Sequence, residues 1–599
     1  MTSHKKDNIL KTSPGIAGLP SAPPILPRTP DGQVSLAPFD WQVPERFNIA
    51  EAICDKWADT YPEKRALIHV PVNQAGFQAA ESWSYGALAD YSNRLAHLFR
   101  EYGISKGDRI AVMLPQSPAV ILMHLAAARL GAILVPLFVL FGPDALAYRL
   151  SDSGARLIVT DAENIKKLDE IADRLPDLTA IWCVEATPPS ASHLRSFWDD
   201  IKQQAPTQMM RNDSLADEPA IMIYTSGTTG APKGALHAHR ILLGHLPSLE
   251  CGYDSFPHPD DKGWTPADWA WIGGMMDLAL PCLYFGVPLV SCALRKFNPE
   301  AAWELVRLQE IGVMFLPPTA LKLMRAAPVP EHVSVRSIIS GGEALGEELL
   351  DWGRQTFGIT INEIYGQTEC NLVIGSCRSV EATPALMMGR PIPGHIIHII
   401  DQDGHPLPAG TVGEIGVKSP HPVMFLHYWG RAEQTAAKFI NGYLKTGDLG
   451  ICDTEGYFRF VARDDDIITS SGYRIGPTEI ENCLMSHPQI LMAAIIGVPC
   501  PERTEAIKAI LVLQDKTLCY AERQALGEAL ILQVKERLSP HLAPRIIEWR
   551  DSLPLTATGK IMRRILRKIA EDDFRNLGDI STLADPSVVD NLISNRMNK

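Results

Sequence analysis

The sequence predicts an α/β fold: a large N-terminal domain of parallel mixed sheets flanked by helices, with a small β region, followed by a small α+β C-terminal domain. Three observations predict this architecture. The chain has 599 residues, more than one ordinary domain contains, so two or more domains are expected. Apolar runs of strand length alternate with helical patterns, which is typical of parallel sheets. The composition changes at residues 403–419 and again after Arg463.

Residues 1–40 are predicted to form a disordered N-terminal arm. Residues 13–31 are rich in proline and small residues, a composition that favours an unfolded segment. The N-terminus lacks the apolar core of a secretory signal, so none is expected. Polar residues and a proline (His124, Arg129 and Pro136) interrupt the longest apolar stretch, residues 119–141. It therefore predicts a buried helix followed by a strand and no integral membrane span.

The large domain is expected to occupy residues 41–464. Its early elements follow a β–α–β order, which argues for a parallel sheet with helices on its faces. Proline, glycine and short alternating runs at residues 403–419 predict the small β region. The expected early elements are strands at 110–114, 133–137 and 157–160 and a helix at 117–130.

A separate small domain is expected at residues 465–575, with residues 576–599 as a C-terminal tail. Thr478 and Glu481 have the spacing of a capping box before an apolar run, which predicts the start of a helix within residues 476–488. Strands are predicted at 493–498 and 508–513, and a helix at 521–537.

Charge and cysteine content exclude some classes of function. The chain carries 56 basic and 69 acidic residues, a net charge of −13, which argues against nucleic-acid binding. Its 11 cysteines include no CxxC pair, so reduced thiols and a cytoplasmic location are expected. The composition leaves the oligomeric state open.

The loop at residues 224–234, YTSGTTGAPKG, has the chemistry of an anion site. Its hydroxyl groups and glycines supply O–H and N–H donors, and Lys233 adds a positive charge. An apolar run at 220–224 leads into it, so the loop is expected to follow a strand. It is not a Walker A loop, because Lys233 precedes Gly234 instead of a serine or threonine. For this stretch alone, a solvated turn is the alternative.

Five further stretches follow the loop: SGGEAL (340–345), NEIYGQTE (362–369), YLKTGD (443–448), RDDDIITSSGYRIGPTEIE (463–481) and LTATGKIMRR (555–564). Together with the loop, and in this order, they resemble the acyl-adenylate-forming superfamily. The nearest subgroup is the AMP-forming acyl-CoA synthetases of the short- and medium-chain, acetyl-CoA-synthetase-like type. The resemblance covers nearly all of the chain from about residue 45.

The resemblance implies a two-step reaction. A small carboxylic acid attacks the α-phosphate of ATP in the presence of Mg²⁺, and pyrophosphate leaves. Coenzyme A then converts the acyl-AMP into a thioester and releases AMP. Preorganised donors must stabilise the charge that builds on the phosphate. The resemblance also implies that the small C-terminal domain is mobile and moves between the two steps.

The resemblance further implies a role for each matching residue. Lys560, Thr368 and Glu369 would be catalytic, Thr228 and Glu369 would bind Mg²⁺, and Asp465 would be the hinge. The other residues would bind ATP or AMP (Thr225, Ser226, Gly227, Thr228, Thr229, Gly230, Lys233, Gly342, Glu343, Ala344, Glu363, Ile364, Tyr365, Gly366, Gln367, Asp448, Arg463 and Arg474), coenzyme A (Ser471, Gly472, Tyr473 and Lys535) or the acyl group (Trp269, Trp271, Gly273 and Gly366).

Taken singly, these residues also have structural interpretations. Asp448 could cap a turn, Tyr365 could belong to the core, and Glu369 could cap a helix. Lys560 could be a solvated lysine, the usual fate of this residue type. The order and context of the motifs favour the functional interpretation. Three positions depart from the family pattern: Ala344 replaces a common proline, Thr504 a usual glycine and Leu555 a usual lysine.

The acid is predicted to be a short-to-medium-chain fatty acid, with an aromatic acid as the next candidate. Acetate-specific relatives close the acyl pocket with a tryptophan where this chain has Gly366, so a longer pocket is expected. An apolar wall fits an alkyl or aryl tail. The stretch expected to line that wall contains Trp264, Trp269, Trp271 and Met275.

Two other functions stay open from the sequence. A stand-alone adenylation enzyme would load its acid onto a carrier protein. Such enzymes usually place an aspartate where this chain has Gly273, to pair with an amino-acid substrate. A non-catalytic nucleotide-binding regulator on the same fold would not need Lys560, Asp448 and Glu369, which are all present.

Overall fold

A computed structural model of the protein describes residues 21–597, except 74–75, 186–193, 206, 226–230, 295–296, 343–344, 464–465, 471–472, 501, 557–558, 576, 579 and 581–582. Among these residues, no helix combines the length and the apolar character that crossing a membrane requires.

The strands of the large domain are numbered in chain order. The first group is β1 (Arg65–His69), β2 (Val72–Asn73), β3 (Gly76–Phe77), β4 (Glu81–Ser84), β5 (Arg109–Met113), β6 (Ile133–Pro136), β7 (Ala155–Thr160), β8 (Ala180–Cys183), β9 (Leu194–Ser196), β10 (Pro219–Thr225) and β11 (Lys233–Ala238). The second group is β12 (Gly263–Trp264), β13 (Leu289–Ser291), β14 (Val313–Phe315), β15 (Ser337–Gly341), β16 (Asn362–Gln367), β17 (Asn371–Gly375), β18 (Arg390–Pro391), β19 (Ile397–Ile400), β20 (Gly413–Lys418), β21 (His427–Tyr428), β22 (Phe439–Ile440), β23 (Tyr443–Cys452) and β24 (Phe458–Arg463).

Two large sheets form the centre of this domain. Across the described residues, one has the strand order β21-β11-β10-β6-β5-β7-β8-β9, and the other has the order β18-β17-β16-β15-β14-β12-β13-β1-β4. Pairing is parallel in the middle of each sheet and antiparallel at β10–β11–β21, β16–β17–β18 and β1–β4. The predicted α/β class with mixed parallel sheets is therefore confirmed.

The helices of the large domain cover these sheets and supply much of its core. Every residue of the helix Pro118–Leu130 is buried, which explains why the longest apolar stretch has no polar face. The helices are α1 (Lys56–Thr60), α2 (Tyr85–Glu101), α3 (Pro118–Leu130), α4 (Pro143–Ser153), α5 (Ala162–Asp169), α6 (Phe197–Gln203), α7 (Ile241–Gly252), α8 (Ile272–Gly274), α9 (Leu280–Phe285), α10 (Pro299–Gln309), α11 (Pro318–Ala326), α12 (Glu347–Phe357), α13 (Ala432–Ala436), α14 (Pro477–Met485), α15 (Tyr520–Arg537), α16 (Arg563–Ala570) and α17 (Ser587–Met597), with π-helical segments at Glu51–Asp55 and Met275–Ala279 and a 3₁₀ turn at Ala172–Arg174.

The small β region predicted from residues 403–419 forms an antiparallel sheet of β19, β20, β23 and β22, with β24 paired to β23. In β19 the exposed His398 lies between the buried Ile397 and Ile399, and β20 buries Ile415, Gly416 and Val417 in succession. The sheet carries Asp448 and Arg463 directly opposite each other on β23 and β24. It therefore supplies two of the predicted site residues.

The small domain has its own mixed sheet, formed by β25 (Ile468–Ser470), β26 (Tyr473–Ile475), β27 (Ile490–Cys500), β28 (Thr504–Leu513) and β29 (Ile546–Arg550). β27 and β28 form a long antiparallel pair, and β29 lies parallel to β28. Buried residues of the predicted C-terminal tail, including Leu583 and Val589, pack onto this domain with α16. The expected boundary at 464–465 lies outside the described residues.

The predicted elements agree with the structure except at the capping box. Helix α14 begins after Gly476, and no side chain caps its N-terminus. Glu481 instead accepts hydrogen bonds from the Ile495 amide (2.8 Å) and from Arg563 (2.6 Å). Because these partners are distant in sequence, the local spacing could not reveal them.

Part of the N-terminal arm is ordered, which corrects the expectation for residues 21–40. Leu26 and Val34 are buried in a small cluster with Cys251 and Cys377. Arg28 pairs with the buried Glu250 at 3.1 Å, and Glu250 also accepts a hydrogen bond from the Ile25 amide at 2.6 Å. The buried Leu26 and Val34 and the bonds to Glu250 thus hold a proline-rich segment that composition alone suggests is unfolded.

Thr504 has a φ of 69°, in the left-handed region that glycine adopts without strain. The same position departs from the family pattern, in which glycine is usual. It begins β28 and pairs with Cys500 and with Ser470. The departure therefore places a β-branched residue where the backbone favours glycine.

Candidate active site

A cavity of about 430 Å³ opens between the large and small domains. Strands β10, β15 and β16 and the turn after β16 form its large-domain wall. Helix α14 and the turn that leads into Ile561 form the small-domain wall. Most of the predicted site residues that the structure describes lie on this cavity.

The large-domain wall is built around the C-terminal end of β16, where ligands of open α/β sheets commonly bind. β15 and β16 are parallel, with Gly341 beside Ile364, and Gly342 lies just beyond β15. A tight turn from β16 into β17 follows, in which the Cys370 amide donates to Gln367 O at 3.1 Å. The predicted residues brought to the cavity here are Gly342, Glu363, Ile364, Tyr365, Gly366, Gln367, Thr368 and Glu369, joined by Thr225 and Lys233 at the facing ends of β10 and β11.

Asp448 joins the small β region to this wall. Its Oδ2 accepts hydrogen bonds from the Tyr365 hydroxyl (2.8 Å) and from Gln367 Nε2 (3.3 Å). Arg463 Nη1 lies 3.8 Å from Oδ1. The Thr446 hydroxyl fixes the backbone by accepting from the Asp448 amide at 3.1 Å and donating to Ile415 O at 2.7 Å. Three motifs that are far apart in sequence thus meet at one carboxylate.

Glu369 is buried and lines the cavity. The Tyr428 hydroxyl donates a hydrogen bond to Oε1, and no described residue hydrogen-bonds Oε2. Burial, followed by the charge of Glu369, raises the pKa of Tyr428, so its hydroxyl remains a donor. Lys233 Nζ lies 4.8 Å from the centre of the Tyr428 ring, which brings a cation close to the same carboxylate.

Glu363 is a buried carboxyl group at the cavity. Burial raises its pKa to about 8, although the charge of Arg378 and a hydrogen bond from the Leu345 amide act in the opposite direction. At neutral pH this group is therefore mainly protonated and can donate as well as accept a hydrogen bond.

A small-domain turn presents Lys560 to the cavity. The Thr556 amide donates to Lys560 O (2.8 Å), and the Lys560 amide donates to the Thr556 hydroxyl (3.0 Å). Gly559 has a φ of 85°, which this turn requires. The Thr319 hydroxyl on α11 donates to Gly559 O at 3.1 Å, so the large domain holds the turn in place.

Charged groups from both domains surround Lys560. Burial lowers the pKa of Lys560, and the positive charge of Arg463 lowers it further, while Asp448 and Asp466 act in the opposite direction. Two cations close to one cavity favour a ligand that carries negative charge.

The rest of the cavity wall is mainly apolar. Trp271, Ile272 and Gly273 line it together with Phe315 and Leu372. The prediction that Trp269 lines the acyl pocket is wrong for this structure, because its side chain packs in the core away from the cavity wall. The same is true of Trp264 and Met275, which are fully enclosed.

Gly366 lies on the cavity, but its surroundings leave no room for a side chain. A Cβ added there would lie 1.6 Å from the Asn371 carbonyl oxygen. A register shift between β16 and β17 lies at the same place, between Tyr365 and Gly366. The expected contrast with tryptophan-bearing relatives therefore involves the shape of this hairpin as well as the size of one side chain.

The remaining predicted residues either lie away from the cavity or fall outside the described part of the chain. Tyr473 is 55% exposed and stacks on His541 with ring centres 4.7 Å apart, and Lys535 is exposed on α15. Neither residue lines the cavity. Arg474, in β26, is described only through its backbone, which lies opposite Thr469 of β25. The predicted residues outside the described part of the chain are Ser226, Gly227, Thr228, Thr229, Gly230, Glu343, Ala344, Asp465, Ser471 and Gly472.

Three residues of the site were not found from the sequence. Tyr428 binds Glu369, Thr319 binds the Lys560 turn, and Lys438 donates to Gln367 Oε1 at 3.3 Å. None lies within the recognised motifs, and each acts through a partner more than 50 residues away. No local signal in a single sequence marks such positions.

Comparison with known proteins agrees with this geometry. The family model "AMP-binding enzyme" matches residues 54–429, and "AMP-binding enzyme C-terminal domain" matches residues 479–560. The acetyl-coenzyme A synthetase of Bacillus subtilis (strain 168) is 31% identical over 549 residues, which cover 90% of this chain and 93% of that protein. The chain belongs to the AMP-forming acyl-CoA synthetases of the AMP-binding enzyme family.

Other members of the family are similar over comparable lengths. The mitochondrial acyl-coenzyme A synthetase ACSM2 of Rattus norvegicus is 32% identical over 548 residues, 89% of this chain and 94% of that protein. A crystal structure of a benzoate CoA ligase from Burkholderia xenovorans LB400 is 26% identical, with a TM-score of 0.75, and covers 87% of this chain and 100% of that chain. This AMP-forming acyl-CoA synthetase is thus an acid–thiol ligase that uses ATP and coenzyme A and forms its thioester through acyl-AMP.

Proposed function

We propose that the enzyme activates a short-to-medium-chain or aromatic carboxylic acid at this cavity. The observation that carries the proposal is that the cavity has a charged part and an apolar part. Lys560 and Asp448 meet at its polar part, while Trp271, Phe315 and Leu372 line an apolar part. A carboxylate at the junction would have cations on one side and room for its alkyl or aryl tail on the other.

In the first step, a carboxylate oxygen of the acid attacks the α-phosphorus of ATP. The new P–O bond forms as the bond to pyrophosphate breaks, which leaves acyl-AMP. Lys560 would hold the carboxylate and α-phosphate oxygens together and offset their repulsion, and Thr368 would donate to the α-phosphate. Such preorganised electrostatic contacts contribute most where charge builds up in the transition state.

The nucleotide would lie along β16. Tyr365 would stack on the adenine, Asp448 would accept hydrogen bonds from the ribose hydroxyls, and Arg463 would lie near the ribose or phosphates. The neutral Glu363 carboxyl would contact the adenine edge. The Tyr365–Asp448 hydrogen bond supports this proposal, because the two side chains lie next to each other.

The residues at Glu369 fit a Mg²⁺ ion. Mg²⁺ prefers carboxylate oxygens and substrate phosphates as ligands, and Glu369 lines the cavity with its Oε2 unbonded by any described residue. Glu369 and Thr228 would hold the ion, which when bound would neutralise the phosphate charge. Tyr428 would orient Glu369 through its hydrogen bond to Oε1.

In the second step, the thiol of coenzyme A attacks the acyl carbon and AMP leaves. The small domain would rotate about Asp465 and withdraw Lys560. Ser471, Gly472, Tyr473, Arg474 and Lys535 would then face coenzyme A. The exposed position of Tyr473, away from the cavity that holds Lys560, supports a second orientation of the domain.

An assay of acid-dependent pyrophosphate release tests the proposal. A panel of two- to ten-carbon fatty acids and of aromatic acids should give release with at least one acid, followed by a thioester when coenzyme A is added. Pyrophosphate release with transfer only to a carrier protein would favour the stand-alone adenylation function. A folded enzyme that binds ATP but releases no pyrophosphate with any acid would contradict the proposal.

We also propose a cytoplasmic location. All 11 cysteines are free, and Cys251 and Cys377 remain unlinked although they lie in one buried cluster. Reduced thiols are usual in a reducing compartment.

A further inference from the structure

One ionisable side chain stands on the otherwise apolar part of the cavity wall. Asp277 follows Trp271, Ile272 and Gly273 along the same segment and lines the same cavity. It is 6% exposed, which is unusual for an aspartate without a role, because burying a carboxylate costs free energy unless it is paired. A buried carboxyl group in this wall therefore needs a partner, in the protein or in a ligand.

The pairing of Asp277 involves only one of its two oxygens. His245 Nε2 lies 2.6 Å from Oδ1 in a buried contact. When Asp277 is ionised its carboxylate can only accept, so the imidazole is then the donor. Among the described residues none hydrogen-bonds Oδ2, and Oδ2 is not among the enclosed atoms without a partner. Since Asp277 lines the cavity, its second oxygen is left available to a ligand there.

A second acceptor lies on a neighbouring element. Helix α7, which carries His245, packs on β17, and the Ser248 hydroxyl donates to Leu372 O at 3.0 Å. Asn371, at the start of β17, also lines the cavity. Its amide nitrogen donates to Val423 O at 3.1 Å, while its amide oxygen is buried with no partner among the described residues.

The Asn371 amide oxygen is enclosed, unlike Asp277 Oδ2, so among the described residues Asp277 offers the unpartnered acceptor that a ligand on this part of the wall could reach. An unsubstituted alkyl or aryl tail would leave the Asp277 oxygen facing an apolar group, which is unfavourable. A hydroxyl or amino group on the tail would satisfy it. A site built to bind such a group discriminates strongly against analogues that lack it.

We infer that Asp277, held by His245, selects a carboxylic acid whose tail carries a hydrogen-bond donor, either a hydroxyl or an amino group. This inference rests on the proposed function and narrows its substrate class. Asp277 acts on specificity, because it lies on the tail side of the cavity, whereas Lys560 lies at the reacting carboxylate.

The test compares matched acids by kcat/KM for pyrophosphate release. The acids are benzoates and hexanoates that carry hydrogen, hydroxyl, amino or methoxy at each position in turn. The parent enzyme should prefer at least one hydroxy or amino acid by 10-fold or more over the unsubstituted acid and the methoxy acid. Comparing the hydroxy acids with the amino acids shows whether the site prefers a hydroxyl or an amino group as the donor.

The variant Asp277→Asn reverses the chemistry of the pocket-facing atom. Its amide oxygen can still accept from His245, which turns its NH₂ group, a donor, toward the cavity. The preference for the donor-bearing acid should fall by 10-fold or more, while kcat/KM for the methoxy acid should rise relative to the unsubstituted acid. Asp268→Asn is the matched control, since Asp268 is a partly buried aspartate of the same segment that does not line the cavity.

Two outcomes would overturn the inference while leaving the proposed function intact: a parent enzyme that prefers unsubstituted acids at every position, or an Asp277→Asn enzyme in which all acids lose activity equally. The parent profile alone decides the question if the variant does not fold. Absence of pyrophosphate release with every acid would instead count against the proposed function.

Discussion

Replacing Glu363 with glutamine should stabilise the enzyme at high pH. Burial at the cavity raises the pKa of Glu363 from its ordinary value of 4.5 to about 8. Because the folded-state pKa lies above the unfolded value, the folded enzyme holds the proton more tightly. The contribution of this group to stability is complete below pH 4.5 and is lost as the pH rises through about 8. Glutamine has no proton to lose.

The pKa difference sets the size of the effect. Each unit of pKa corresponds to about 1.4 kcal/mol, so the full difference is about 5 kcal/mol in the free energy of unfolding above pH 8. Relative to the parent, Glu363→Gln should therefore gain up to about 5 kcal/mol at pH 9, and the gain should shrink steadily toward pH 5. Only the change with pH is diagnostic, because glutamine also alters local hydrogen bonds by an amount that does not depend on pH.

Urea denaturation of the full-length enzyme at pH 5, 7 and 9 measures the effect. Tryptophan fluorescence and circular dichroism should both be followed, since a multidomain chain need not unfold in one step. Glu347→Gln is the matched control, because Glu347 is exposed on α12. If the difference between Glu363→Gln and the parent is the same at all three pH values, Glu363 is ionised in the folded enzyme and the account of this group is wrong.

Two further predictions concern the cavity. Lys560→Ala should slow acyl-AMP formation by about 10²–10³ in single-turnover assays, while synthetic acyl-AMP and coenzyme A should still give thioester at close to the parent rate; equal loss of both half-reactions in a folded variant would refute the role. Gly366→Ala should lower the thermal denaturation midpoint by several degrees, since its Cβ would lie 1.6 Å from the Asn371 carbonyl oxygen; an unchanged midpoint would show that the hairpin adapts freely.

The sequence predicted the central elements of the fold because their signals are local. The apolar run at 110–114 appears as β5, and the continuous apolar helix at 117–130 appears as α3, buried on every side. Leu26 and Val34 were misassigned to a disordered arm, since proline content says nothing about the pocket that receives two apolar side chains. Glu481 was misassigned to a cap, because its partner Arg563 is 82 residues away.

Site residues within a sequence motif could be predicted, whereas those whose position depends on tertiary packing could not. Tyr365 and Asp448 belong to recognisable motifs, and the structure joins them by a 2.8 Å hydrogen bond. Trp269 and Trp271 look equivalent in the sequence, yet only Trp271 reaches the cavity. Asp277 lies among apolar residues in the sequence and gives no local signal. Its proposed role depends on the contact with His245, which lies on another helix.

The central claim is that a carboxylate oxygen attacks the α-phosphorus of ATP in this cavity. The most direct measurement uses an accepted acid labelled with ¹⁸O in its carboxylate, with ATP and coenzyme A, and mass spectrometry of the products. Attack at the α-phosphorus, followed by thiol attack on the acyl carbon, leaves one labelled oxygen on AMP and none on pyrophosphate. Unlabelled AMP, with the label found in phosphate or pyrophosphate, would mean that the acid attacks a different phosphorus, and would contradict the account.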